Sequence, residues 1–198
     1  MLPRSPSIKE IDFGAYSTHS PSTWTSRVKD LHILAPQIVK LDLTMVQGIR
    51  DFSFIVHFAP TLTTLCLNDV PQQPEPRSPL VAIGDCGRLT TLVIRFRNLH
   101  STTHQRSELR ADFQETVLNS CNRLSFLDGP VAPSLEHLTL DQFRFSVNRA
   151  EDHSIAKAVN LKSLLLPCCG GLRHIFFVRR MRSLRVGHQQ CFAGASSV

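Results

Sequence analysis

Apolar positions recur along the chain in one short rhythm, apolar, x, x, apolar, x, apolar. It stands at 8–13 (IKEIDF), 38–43 (IVKLDL), 62–67 (LTTLCL), 89–94 (LTTLVI), 135–140 (LEHLTL), 161–166 (LKSLLL) and 181–186 (MRSLRV). With the middle apolar residue as marker, the intervals are 30, 24, 27, 46, 26 and 20 residues. Five of the six fall in or near the roughly 20–29-residue period of a repeat that supplies one strand per unit, and the interval of 46 has room for two repeats or one insertion. Side chains alternate along a strand, so the final apolar, x, apolar triplet puts two side chains on one face. The first apolar residue packs beneath them. One such unit cannot bury its own face, whereas stacked neighbours bury a continuous core.

Between these motifs the period becomes helical. In 22–34 (STWTSRVKDLHIL), Ser22 or Thr23 is a candidate N-cap, and Trp24, Val28, Leu31 and Leu34 form one stripe. The segment 51–59 offers Phe52, Ile55, Val56 and Ala59. The segment 107–121 offers Leu109, Phe113, Val117 and Cys121 behind Ser107, and 151–160 offers Ile155, Ala158 and Val159. Leu124 and Leu127 imitate a strand motif but stand too close to Leu138 for a full repeat, so 107–120 reads as a helix and 121–131 as an irregular approach to the next strand. Strand alternating with helix at this period predicts an α/β fold: a solenoid of about seven repeats, with a curved parallel sheet on the concave side and helices on the convex side. The strands should be neighbours in chain order, centred on 11, 41, 65, 92, 138, 164 and 184.

Small punctuation residues precede several motifs, as in LAPQIVKLDL, FAPTLTTLCL and VAPSLEHLTL, and two segments read CGRLTTLVI and CNRLSFLDG. In these features the chain resembles the leucine-rich-repeat region of fungal F-box proteins, from about residue 6 to 190. The resemblance implies the substrate-recruiting part of a cullin-type ubiquitin-ligase receptor, a non-enzymatic protein-interaction module. The chain departs from the pattern in two ways. The position three residues after each pair, where the family carries Asn or Cys, holds Tyr16, Val46, Val70, Arg97, Phe143, Cys169 and Gln189, so only Cys169 fits. No F-box segment precedes the first motif, from which we expect residues 1–198 to form a single solenoid, a fragment of a longer protein with both ends uncapped.

The stretch 71–80 (PQQPEPRSPL) holds four prolines and reads as a Pro-rich surface loop. The six cysteines show no CxxC and no paired spacing, which points to reduced thiols and a cytoplasmic or nuclear location. No run of 18 apolar residues suggests a membrane span. The net charge of +6 is unevenly distributed: residues 153–198 carry seven Lys and Arg and no acid, while the remainder is close to neutral.

Candidate chemistry is sparse. The nine histidines and six cysteines form neither HExxH nor a zinc-ligand spacing, so no metal, cofactor, small-molecule substrate or catalytic residue is expected. Cys168, Cys169 and His174 come closest to a thiol site, but sequence proximity alone gives the thiol no base. The strand positions flanking the inward pairs are better candidates for binding. They are Glu10, Asp12, Lys40, Asp42, Asn68, Arg95, His137, Asp141 and Arg185, accompanied by Thr64, Thr91, Thr139 and Ser163. As outward columns they would form a polar, mixed-charge docking face for a protein partner. The alternative is a nucleic-acid-associated protein that grips phosphate through segment 173–185, with Arg173, Arg179, Arg180 and Arg182 as its basic patch.

Overall fold

The computed structural model describes residues 8–13, 30–46, 49, 52–70, 80–96, 124–143, 145, 150–169 and 185–187. Seven strands form one sheet: β1 (Glu10–Asp12), β2 (Lys40–Leu43), β3 (Thr64–Val70), β4 (Thr91–Phe96), β5 (His137–Asp141), β6 (Ser163–Leu165) and β7 (Arg185–Gly187). Each pairs in parallel with the next, in chain order, so β1 and β7 are the two edges. β4 pairs directly with β5, so the 46-residue interval adds no strand between them and is an insertion in the sheet order.

The motif has a direct structural meaning. Leu41, Leu43, Leu65, Leu67, Leu92, Ile94, Leu138, Leu140, Leu164 and Leu166, together with the leading Ile38, Leu62, Leu89, Leu135 and Leu161, are all at most 1% exposed. Two further features recur at fixed offsets. The carbonyls of Lys9, Val39, Thr63, Thr90 and Glu136 each accept two N–H groups at the start of the next strand, at 2.7–3.1 Å. In β3 to β6 the polar residue four positions before the central strand residue also reaches back to the preceding unit. Thr61 Oγ1 donates to the Ile38 carbonyl, Arg88 Nη1 to Pro60, Ser134 Oγ to Leu89 and Asn160 Nδ2 to Pro133. The small polar residue of PSLEHLTL is thus a cross-unit hydrogen-bond donor, satisfying a carbonyl that packing would otherwise strand away from water.

A second layer covers the apolar side of the sheet. Helix α1 (Leu31–Leu34) packs against the 3-10 helix Ser53–Phe58, which packs against Val81–Asp85, then Ser125–Asp128, then helix α2 (Ala150–Ile155). Their apolar residues and the inward strand residues form one core.

Several expectations change here. Within 52–59 the chain forms the 3-10 helix Ser53–Phe58, whose three-residue turn buries Phe52, Ile55 and Phe58 at spacing three, with Phe54, and leaves Val56 42% exposed. Val159 is exposed because α2 ends at Ile155 and the chain turns through Lys157, leaving Ala158 in the core. The stretch read as irregular holds a 3-10 helix, Ser125–Asp128, with Leu124 at its start and Leu127 within it, both in the core. Leu80 is a buried lead-in to the Val81–Asp85 turn and is not part of a surface loop. β7 sets Val186, not Leu184, opposite Leu164. The stretches 71–79 and 107–121, and the stripe residues Trp24 and Val28, lie outside the described residues.

The edge of the sheet beyond the strands' C-terminal ends lacks an asparagine ladder and is closed by apolar packing. Val46, Val70 and Phe143 are buried there, and Phe143 packs between Phe96, tilted against it, and Phe145, edge to face, with ring centroids 4.9 Å from each. Among the described residues at this offset, Cys169 makes a side-chain hydrogen bond: its thiol donates to the Leu140 carbonyl at 2.9 Å. Gln142 and Cys168 each stand four residues after the central strand residue, Leu138 and Leu164, and both adopt left-handed φ, 59° and 53°.

Candidate interaction face

Alternation along the strands turns the residues between the buried pairs to the opposite side of the sheet. Register aligns them into rows running across the strands. The first row reads Glu10, Lys40, Thr64, Thr91, His137, Ser163, Arg185. The second reads Asp12, Asp42, Cys66, Val93, Thr139, Leu165, Gly187. Beyond them Arg95 stands opposite Asp141, and half-buried Asn68 lies where the register of β3 shifts between Leu67 and Val70.

The polar candidates on the strands therefore share one face, but the middle of that face is less polar than expected. Cys66 and Val93 are half-buried and Leu165 is 45% exposed. None of the three is a polar residue of the kind that marks a docking candidate in the sequence. They are nevertheless written in the motif as the x of the apolar, x, apolar triplet.

Charges on the face are partly paired. Lys40 Nζ lies 3.9 Å from Glu10 Oε2, a loose surface pair worth little. Arg95 Nε donates to Asp141 Oδ2 at 2.7 Å. Asp141 is only 9% exposed, and its Oδ1 is buried without a hydrogen-bond partner. That corrects its reading as a freely outward column residue: Phe143 and Cys169 crowd the end of β5, and charge reversal at Asp141 would disturb the fold as well as the face. Asp42 Oδ1 accepts from both the backbone N–H and the hydroxyl of Thr44, at 2.9 and 2.7 Å, which fixes the carboxylate at the end of β2. At the opposite edge of the sheet, Lys162 Nζ bonds Glu136 Oε2 at 2.8 Å and holds that carboxyl below its usual range.

The described thiols are poor nucleophiles. Burial raises Cys66 to about 11, helped by the Asp42 carboxylate, which accepts its thiol hydrogen bond. Burial also raises Cys86 and Cys169 to about 12. Cys168 is disulfide-bonded, which corrects the expectation of reduced thiols throughout. Among the described residues no group of three His, Cys, Asp or Glu is arranged to hold a metal ion, and no helix is long and apolar enough to cross a membrane. Arg173, Arg179, Arg180, Arg182 and His174 lie outside the described residues, and Arg185 stands exposed beside Ser163 on β7.

The thiols give a measurable consequence. At pH 8 a thiol titrating near 11 carries about a hundredth of the thiolate of one titrating near 9, so alkylation of folded Cys66 is expected to be about 100-fold slower than in urea. Because the folded values lie above the unfolded one, the folded chain keeps protons that the unfolded chain has released. Stability from this source is complete below about pH 9 and declines as pH rises toward 11 to 12. Urea midpoints at pH 8 and pH 10 should show the decline, and Cys86→Val should reduce it. An unchanged slope in that variant would contradict the assignment.

Comparison with protein-family models, with curated proteins and with solved structures finds no match in any of the three.

Proposed function

We propose that the chain is a leucine-rich-repeat solenoid acting as a non-enzymatic protein-interaction module that binds a protein partner through the open face of its sheet. One observation carries the reading. The open side of an all-parallel sheet presents aligned rows whose centre, Cys66, Val93, Thr139 and Leu165, is weakly polar and partly exposed. Parallel sheets ordinarily have both faces covered, so a face of this composition suits a partner that completes the layer. The repeated offsets of the buried pairs, the paired N–H acceptors and the polar donors support the repeat reading. The resemblance to the repeat region of F-box proteins suggests recruitment of a substrate to a ubiquitin ligase.

Binding to cell-extract proteins and to mixed nucleic acid, at two salt concentrations, tests this. Val93→Arg with Leu165→Arg should abolish protein binding while the unfolding free energy from urea titration stays within about 0.5 kcal/mol of the parent, as for surface substitutions. Reversing Arg179, Arg180 and Arg182 should leave it unchanged. Salt-sensitive nucleic-acid binding lost only in the arginine variant would overturn the proposal in favour of a phosphate grip.

A further inference from the structure

The Lys and Arg side chains that register sets on the open face differ in what stands beside them. Lys40 lies 3.9 Å from Glu10, and Arg95 is bonded to Asp141. Arg185 on β7 is exposed, its cross-strand neighbour is Ser163, and among the described residues no acid pairs with it. The sequence supplies no acid from residue 153 onward, so the charge at this end is not balanced locally. Two residues along β7 from Arg185, on the same side of the sheet, stands Gly187, opposite Leu165. With no side chain there, Leu165 is left open on its β7 flank and is 45% exposed. A guanidinium without an acid thus adjoins an uncovered apolar side chain, with about 7 Å between the two positions along the strand direction. From Val93 to Gly187 the second row crosses three strand spacings, about 14 Å, which seats roughly four extended residues.

Resting on the proposed docking reading, we propose that the partner of this face is a protein segment that carries an Asp or Glu within two residues of an apolar side chain. The carboxylate would accept from the guanidinium of Arg185, with the Ser163 hydroxyl as a further donor, and the apolar side chain would cover Leu165 in the space that Gly187 leaves. A basic segment would be repelled at Arg185. A nucleic-acid strand offers a phosphate to Arg185, but neither row of the face holds a Phe, Tyr or Trp on which its bases would stack.

The test is selection from a random library of about 8-residue displayed peptides, twice the length the row seats, panned on the full chain. We expect enrichment of peptides with an acidic residue within two positions of an apolar one. With a selected peptide as probe, Arg185→Gln should bind about tenfold more weakly and lose the salt dependence of the parent, while Arg185→Lys keeps that dependence. Arg185 is exposed, so both variants should keep the parent's unfolding free energy in urea titration. Selected peptides without an acidic bias, or acidic peptides bound equally by Arg185→Gln, would overturn the inference while leaving the docking face standing. If no peptide is enriched, or if Val93→Arg with Leu165→Arg leaves binding intact, the docking reading fails and this inference with it. A mixed-sequence single-stranded oligonucleotide that binds the parent but not Arg185→Gln, with no peptide enriched, would overturn both in favour of a phosphate contact.

Discussion

Truncating Leu92 to alanine is expected to cost the fold about 3 kcal/mol, while the same truncation one residue later, at Val93, should cost under about 1 kcal/mol. Leu92 is fully buried at the centre of β4, between Leu65 and Leu138 of its two neighbours. Removing its branched end leaves a cavity that two flanking strands and the turn layer cannot fill by moving together. Val93 faces the other way, is half-buried and leaves no enclosed space. Urea unfolding of both variants gives the comparison. Similar losses at the two positions would mean that the sheet has no distinct inner and outer face.

The second large effect comes from Gly129. A Cβ at this position would lie 2.8 Å from the carbonyl oxygen of Gly84 and 3.3 Å from its Cα, so the obstacle is backbone and cannot rotate away. The contact joins the turn after Ser125–Asp128 to the Val81–Asp85 turn of the preceding unit, where the Val131 N–H also donates to the Gly84 carbonyl at 3.1 Å. Gly129→Ala must push these turns apart and stretch that hydrogen bond, at a cost of about 2 kcal/mol. For a chain of this size that corresponds to a fall of roughly 4–8 °C in Tm. Gly87→Ala is the control, since its Cβ would meet only Pro130 at 3.6 Å, an ordinary contact. Equal Tm values for the two variants would show that the turn layer is not packed this closely.

Six strands were legible because their signal is short, local and repeated: a pair of inward residues two apart, with a third apolar residue three positions before. β7 was misplaced for a physical reason. Positions 184 and 186 differ by two and a two-residue slip preserves a strand's alternation, so the pattern cannot distinguish Leu184 from Val186 as the partner of Leu164, whereas a one-residue slip would invert the strand. The turn layer was harder to read, because Phe52, Ile55 and Phe58 fit a spacing of three as well as a helical stripe. The close approach of Gly84 and Gly129, some 45 residues apart in the sequence, left no local signal at all.

The candidate face was legible in position but not in character. The alternation located Asp42, Arg95 and His137, yet the same rule marks Cys66, Val93 and Leu165, which give the face its weakly polar centre. Asp141 followed the alternation and is nevertheless buried, because burial at a strand end depends on what packs beyond it. No spacing rule contains that.

Site-specific photocrosslinking tests the docking face most directly. A photoreactive side chain at Thr139, in the middle row of the open face, is compared in cell extract with one at Val56, exposed on the turn layer. We expect a discrete protein adduct from position 139 that disappears when Leu165 is replaced by arginine, and none from position 56. Adducts from position 56 alone, or nucleic-acid adducts from position 139, would contradict the assignment of the open sheet face as the protein-binding surface.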